Sequence, residues 1–138
     1  MRLDHVTRDR TAVATISRAL PDAIAIYVFG SAAAGVDGPE SDLDLAVLPA
    51  HPLDPVARFD LQEDLASALH TPVDLVDLRA ASPVMAMQVL STGRVLHDRE
   101  PASRGRFEDL IFGAYARLNE ERRAILQRVA SEGTVYGR

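Results

Sequence analysis

The residues best suited to chemistry stand in one short stretch: Gly30-Ser31, ten further residues, then Asp42-Leu43-Asp44. Two carboxylates at a spacing of two share one face of a strand, because side chains alternate along it. So placed, they repel one another unless a cation lies between them. A hard divalent ion such as Mg²⁺ takes oxygen ligands of this kind and keeps waters and substrate phosphates for its other positions. The Gly-Ser pair supplies the complementary half. Glycine lets the backbone approach a ligand, the N–H groups that open a following helix attract anions, and the Ser31 hydroxyl adds a donor. Together these features describe a nucleoside triphosphate site, with Gly30 and Ser31 on the nucleotide and Asp42 and Asp44 on the metal. The plainer alternative is an edge strand with an acidic outer face beside an ordinary turn.

The flanking elements fit the first reading. Ile24 to Phe29 is an apolar, β-rich run of strand length that stops at Gly30. Ser31 to Ala34 opens a short helix ended by Gly35, and Asp37-Gly38-Pro39 punctuates a turn. Asp42 to Leu48 forms the second strand, with Leu43, Leu45 and Val47 opposite the carboxylates. Upstream, a helix is predicted over residues 7–20, with Thr7 as its cap, an apolar stripe of Val13, Ile16 and Leu20, and Pro21 as its stop. Downstream, Asp54-Pro55 opens a helix that turns Leu61, Leu65 and Leu69 inward and Asp60, Glu63 and Asp64 outward. Val73 to Leu78 is a strand. Ser82-Pro83 opens a helix through Leu90, with Val84 and Met87 packed inward, Val89 and Leu90 as further inward candidates, and Gly93 closing it, before a short strand at Val95-Leu96. Helical spacing returns from Ala102 to about Glu132. The apolar stripe lapses at Asn119-Glu120-Glu121-Arg122-Arg123, which fits either a break between two helices or one helix projecting from the domain.

Gly30-Ser31-x10-Asp42-x-Asp44 resembles the signature of the DNA polymerase β nucleotidyltransferase superfamily. Within it, the short chain is similar to the minimal nucleotidyltransferases, the MNT antitoxins paired with HEPN toxins. The resemblance covers residues 24–97 well and the two ends weakly. It implies an α/β (α+β) fold, a small mixed sheet flanked by helices, with residues 1–100 as the core domain and 101–138 as its C-terminal helical segment. It also implies a third carboxylate on a later strand: Pro72-Val73-Asp74-Leu75-Val76-Asp77-Leu78 matches, with Asp74 in the family position. Asp77 is then a strand-end acid without function. Two Mg²⁺ ions on Asp42, Asp44 and Asp74, ATP as substrate, and transfer of AMP to a hydroxyl follow from the same resemblance, with Asp74 as general base. The acceptor it implies is a tyrosine of a partner HEPN toxin, bound as a hetero-oligomer. The apolar residues from Phe107 to Leu118, with Arg117, Arg122 and Arg123, are the expected docking surface, the alternative being a helix that simply covers the sheet. The chain departs from many relatives in having Ala32 and Ala34 where they carry arginines. Two other readings keep the motif: a small-molecule, antibiotic-type nucleotidyltransferase, and an antitoxin that inhibits by binding alone.

Composition narrows the field. At 138 residues with 47% hydrophobic content, the chain makes one globular domain. A net charge of −5 argues against long nucleic acid as the main ligand. There is no cysteine, hence no disulfide, thiol nucleophile or cysteine-bound zinc. All fifteen basic residues are arginine, so a P-loop lysine, a lysyl-nucleotide intermediate and a Schiff base are all excluded. His5, His51, His70 and His97 show no metal-ligand spacing. No apolar run reaches membrane-spanning length and no signal-peptide core is present, which suits a cytoplasmic protein.

Overall fold

In the computed structural model, which describes residues 3–35 and 42–132, helices and strands alternate along the chain. The turn expected at Asp37-Gly38-Pro39 and the tail beyond Glu132 lie outside the described residues. The first helix, α1 (His5–Ala19), begins earlier than its apolar stripe predicts. Asp4 rather than Thr7 is its cap, and the Asp4 carboxylate accepts a hydrogen bond from the Thr7 N–H at 2.8 Å. β1 (Ala25–Phe29) and the one-turn α2 (Ser31–Ala34) fall where expected, with Gly35 in the left-handed conformation as the stop. β2 (Leu43–Leu48) follows, then α3 (Pro55–Leu69), capped by Asp54 ahead of its first-turn proline. β3 (Val73–Asp77), α4 (Pro83–Thr92), β4 (Arg94–Asp98) and α5 (Pro101–Ser131) complete the chain.

The strands form one mixed sheet in the order β3-β2-β1-β4. β1 pairs antiparallel with both β2 and β4, whereas β2 and β3 are parallel. Only β1 therefore runs against the other three. Its C-terminal end shares a sheet edge with the N-terminal ends of β2, β3 and β4, and that edge is where the candidate residues gather.

Strand alternation sorts the core into two layers. Ile26, Val28, Leu43, Leu45 and Leu75 pack with Ile16 of α1 and Leu61, Leu65 and Leu69 of α3. Tyr27, Phe29, Ala46 and Leu48 face the other way, against Ala86 and Val89 of α4 and Ile111 of α5. Each fully buried aliphatic side chain in these layers contributes roughly 1.5–3 kcal/mol. In α4 Val89 is buried and Met87 and Leu90 pack against the core, but Val84 departs from expectation. Val84 is 47% exposed, because it lies two residues from the buried Ala86, about 200° around the helix. Met87 is half-buried beside the core.

α5 is a single helix with no break at Asn119–Arg123. Its first half is tied to the sheet: the Tyr27 hydroxyl donates to Glu108 at 3.0 Å, and Arg104 bridges Glu108 at 2.8 Å and Asp98 at 2.9 Å. Burial, then the adjacent Glu108 charge, pushes the Tyr27 phenol well up, so it stays a neutral donor. Past Leu118 the helix leaves the domain, and Ile125 and Leu126 are 51% and 63% exposed. Glu, Arg, Ala and Leu are strong helix formers and carry the chain across the lapse in the apolar stripe. No helix among the described residues is long and apolar enough to cross a membrane.

Candidate active site

Gly30 stands at the turn from β1 into α2 with φ +70° and ψ −149°, a conformation that only glycine adopts easily. It also faces a side chain. A Cβ added there would lie 2.5 Å from Asp44 Oδ2, so the aspartate carboxylate rests directly against the turn. The register explains why: Phe29, the residue before Gly30, pairs with Asp44, and Asp44 in turn pairs with Asp74 across the parallel β2–β3 ladder. Asp44 and Asp74 thus stand side by side at the open end of the sheet, on the face covered by α4 and α5. Asp42, two residues ahead of Asp44 and just before the strand, is exposed on that same face. Ser31 follows as the first residue of α2, whose leading N–H groups have no partner within so short a helix.

The electrostatics match this crowding. Partial burial, then the charge of Asp74 and then that of Asp42, raises the pKa of Asp44 above the ordinary value of 3.8. A carboxylate held this way is short of a positive partner. Among the described residues no three His, Cys, Asp or Glu side chains stand gathered as a ready-made metal cage. Mg²⁺ does not require one, since it binds through one or two carboxylates and completes its shell with water and phosphate. The all-oxygen donor set and its mutual repulsion fit such an ion.

The sequence reading of Asp77 is corrected in one respect. Asp77 lies three residues beyond Asp74 on the opposite face of β3, and it is not idle. It is 4% exposed, its Oδ2 accepts the Leu53 N–H at 2.8 Å, and its Oδ1 accepts the Arg79 N–H at 2.9 Å. Ala32 is buried in the core layer below α2, so packing rather than charge governs that position, whereas Ala34 faces solvent.

Two residues near the carboxylates carry no signal that spacing reveals. Thr92, at the end of α4, donates to the Gln88 carbonyl at 2.7 Å and stands 3.5 Å from the Gly30 nitrogen, whose N–H points at its oxygen. Gly93 permits this approach, because a Cβ there would sit 2.3 Å from the Val89 carbonyl oxygen and 3.1 Å from that of Val28. The other residue is Arg58, which with Asp74 lines a groove of about 410 Å³ beside β3. A slightly larger groove, of about 460 Å³, lies near Ile24, Arg79 and Phe107 at the far end of the sheet. It holds no carboxylate, and the chemistry is placed at the Gly30–Asp44–Asp74 end instead.

A glycine turn against paired strand carboxylates in a mixed sheet defines a nucleotidyltransferase, and the chain belongs to the polymerase beta nucleotidyltransferase family, whose pattern matches residues 12–102. It is 42% identical over 115 residues to the protein adenylyltransferase MntA of Shewanella oneidensis, which covers 80% of this chain and 78% of that protein. Its fold is similar to a chain from the crystal structure of a toxin–antitoxin complex with AMP-PNP, with TM-score 0.80 and 38% identity, covering 88% of this chain and 98% of that one. A structure of a tri-AMPylated Shewanella oneidensis HEPN toxin with its MNT antitoxin gives TM-score 0.77 and 35% identity, covering 91% of this chain and 98% of that one.

Proposed function

We propose that the chain is an Mg²⁺-dependent protein adenylyltransferase that moves AMP from ATP to a hydroxyl, a tyrosine of a HEPN-type partner, and so acts as its antitoxin. The observation that carries this reading is the meeting of Gly30, just past the end of β1, with Asp44 of β2 and Asp74 of β3 at one end of the sheet. Gly30 and Ser31 bind the triphosphate, the first by keeping the turn free of a side chain and the second through its hydroxyl. Asp42, Asp44 and Asp74 would hold Mg²⁺, which would supply positive charge against the phosphates and lower the pKa of the acceptor hydroxyl. Asp74, exposed at the edge of the pair, faces the acceptor and takes its proton. The acceptor oxygen bonds to the α-phosphorus of ATP, the bond to the bridging oxygen breaks, and pyrophosphate leaves. Alignment and charge neutralisation do most of the work in transfers of this kind.

The domain has little wall with which to enclose a second substrate, and a protein partner supplies it. We place the docking surface on α5, where Leu110 is 67% and Phe112 44% exposed and where the overhang beyond Leu118 carries Arg122 and Arg123. The reaction belongs in the cytoplasm, where ATP is supplied. Intact-mass measurement of the partner after incubation with ATP, Mg²⁺ and this protein is the test. Added AMP is the expected result. A partner that stays unmodified yet is inhibited equally by wild type and by Asp42→Asn would overturn transfer and leave an antitoxin that works by contact alone.

A further inference from the structure

The groove beside β3 runs from Asp74 at its head past Val76 to Ala81, Ser82 and Met85, with Arg58 of α3 on its wall. β3 is an edge strand, and a bare edge invites another strand to pair with it. This one is already answered. Gln62 Oε1 accepts the Leu75 N–H at 2.9 Å, while Arg58 Nη1 donates to the Leu75 carbonyl at 3.0 Å and to Gln62 Oε1 at 3.2 Å. Whatever enters the groove therefore meets side chains rather than the ladder of the strand. Arg58 makes both bonds through one nitrogen, and among the described residues its Nε and Nη2 have no hydrogen-bond or carboxylate partner. The guanidinium is thus a fixed cation with donors to spare, in the geometry that favours a phosphate. Asp77 and Ser82 also line the groove, but Asp77 is 4% exposed, with both carboxylate oxygens taken up by the Leu53 and Arg79 N–H groups. Val76, Ala81 and Met85 give the rest of the wall an apolar stretch, and a thioether suits the face or edge of a flat ring.

An anion beside a flat ring, a short way from Asp74, is what an acceptor presents once it has received one AMP. We propose that this groove is the subsite for an acceptor that already carries AMP, and that Arg58 holds its phosphodiester while the attached ribose is offered for a further transfer. The inference rests on the adenylyltransferase reading above. In that step a ribose hydroxyl oxygen bonds to the α-phosphorus of bound ATP. The bond from that phosphorus to the oxygen bridging to the β-phosphorus breaks, pyrophosphate leaves, and the hydroxyl proton passes to Asp74. The toxin bound to a similar antitoxin is tri-AMPylated, so addition of more than one AMP occurs with a relative.

Free AMP serves as the probe for the attached nucleotide, with adenosine as the control that lacks the phosphate. The full-length protein is saturated with AMP-PNP and Mg²⁺, and each probe is titrated by calorimetry. Wild type should bind AMP at least about tenfold more tightly than adenosine, the worth of one charge-assisted hydrogen bond. Arg58→Gln keeps a donor for the Leu75 carbonyl and should lose that preference with AMP-PNP affinity unchanged. Ala81→Glu places a carboxylate in the groove away from the strand bonds and should cause the same selective loss, whatever Arg58→Gln does to folding. Equal binding of AMP and adenosine by wild type, displacement of AMP-PNP by AMP, or a preference that survives Ala81→Glu overturns the subsite. Failure of AMP-PNP to bind wild type at all would instead sink the adenylyltransferase reading.

Discussion

Near its start β3 presents Asp74 to solvent beside Asp44, and at its end it buries Asp77 under the loop that leads into α3. The two aspartates lie three residues apart and therefore on opposite faces of the sheet. Asp77 has a backbone N–H on each oxygen, from Leu53 and Arg79. Asp74 has another carboxylate for a neighbour. A carboxylate whose oxygens are satisfied by backbone donors fixes a loop, and one set against like charge waits for an ion. The same side chain is satisfied by backbone donors at one end of the strand and faces another carboxylate at the other, where we propose that it serves the chemistry.

The contrast breaks most visibly at the metal-facing pair. Asp42→Asn or Asp44→Asn should reduce Mg²⁺-dependent transfer to background, with melting unchanged or raised because repulsion is relieved. Near-wild-type transfer by either variant removes the site from this end of the sheet. Asp74→Asn should slow turnover by about 10²–10⁴-fold, the range for loss of a general base, while AMP-PNP still binds. At the other end the effect moves from rate to stability. Asp77→Asn turns one acceptor into a donor facing an N–H, and should cost about 1–3 kcal/mol in denaturant unfolding with turnover retained. Normal stability with lost turnover would reverse the two assignments.

The smallest effect sharpens the electrostatic side. The folded protein holds Asp44 above its ordinary pKa of 3.8, so it favours the neutral carboxyl. The stability tied to this group is fully present below the unfolded pKa and is lost as pH rises through the raised folded one. Metal-free wild type and Asp44→Asn should therefore melt alike in strong acid. Wild type should fall slightly behind as pH climbs from about 4 upward, and Mg²⁺ should close the gap. Water reaches much of this side chain, which keeps the difference small. A gap independent of pH would mean that Asp44 feels no such crowding.

Much of this was legible in the sequence, and the rest was hidden for physical reasons. Gly30 and the alternation of Asp42 and Asp44 announce themselves because strand period and glycine geometry are local. The pairing of Asp44 with Asp74 is not local, and only the family resemblance singled out Asp74 over Asp77. Thr92 and Arg58 gave no signal, since one contributes a single hydroxyl and the other reaches the Leu75 carbonyl, distant in sequence. Val84 misled because α4 carries apolar residues nearly all around, so periodicity cannot tell its faces apart. The lapse at Asn119–Arg123 allowed two readings, and the projecting helix is the one the chain adopts.

That projection divides α5 into two regimes of order. The half before Leu118 is clamped by the Tyr27, Glu108, Arg104 and Asp98 network, and its amides should exchange with solvent hydrogen only when the whole domain opens. Among the described residues the overhang has only bonds within the helix itself, including Ser131 Oγ to the Arg128 carbonyl, and an isolated helix of that length is marginal in water. It should fray and exchange rapidly in the protein by itself. A partner that grips it must first stop that fraying, so part of every contact made there is spent on ordering the helix, and affinity per unit of buried area is correspondingly reduced.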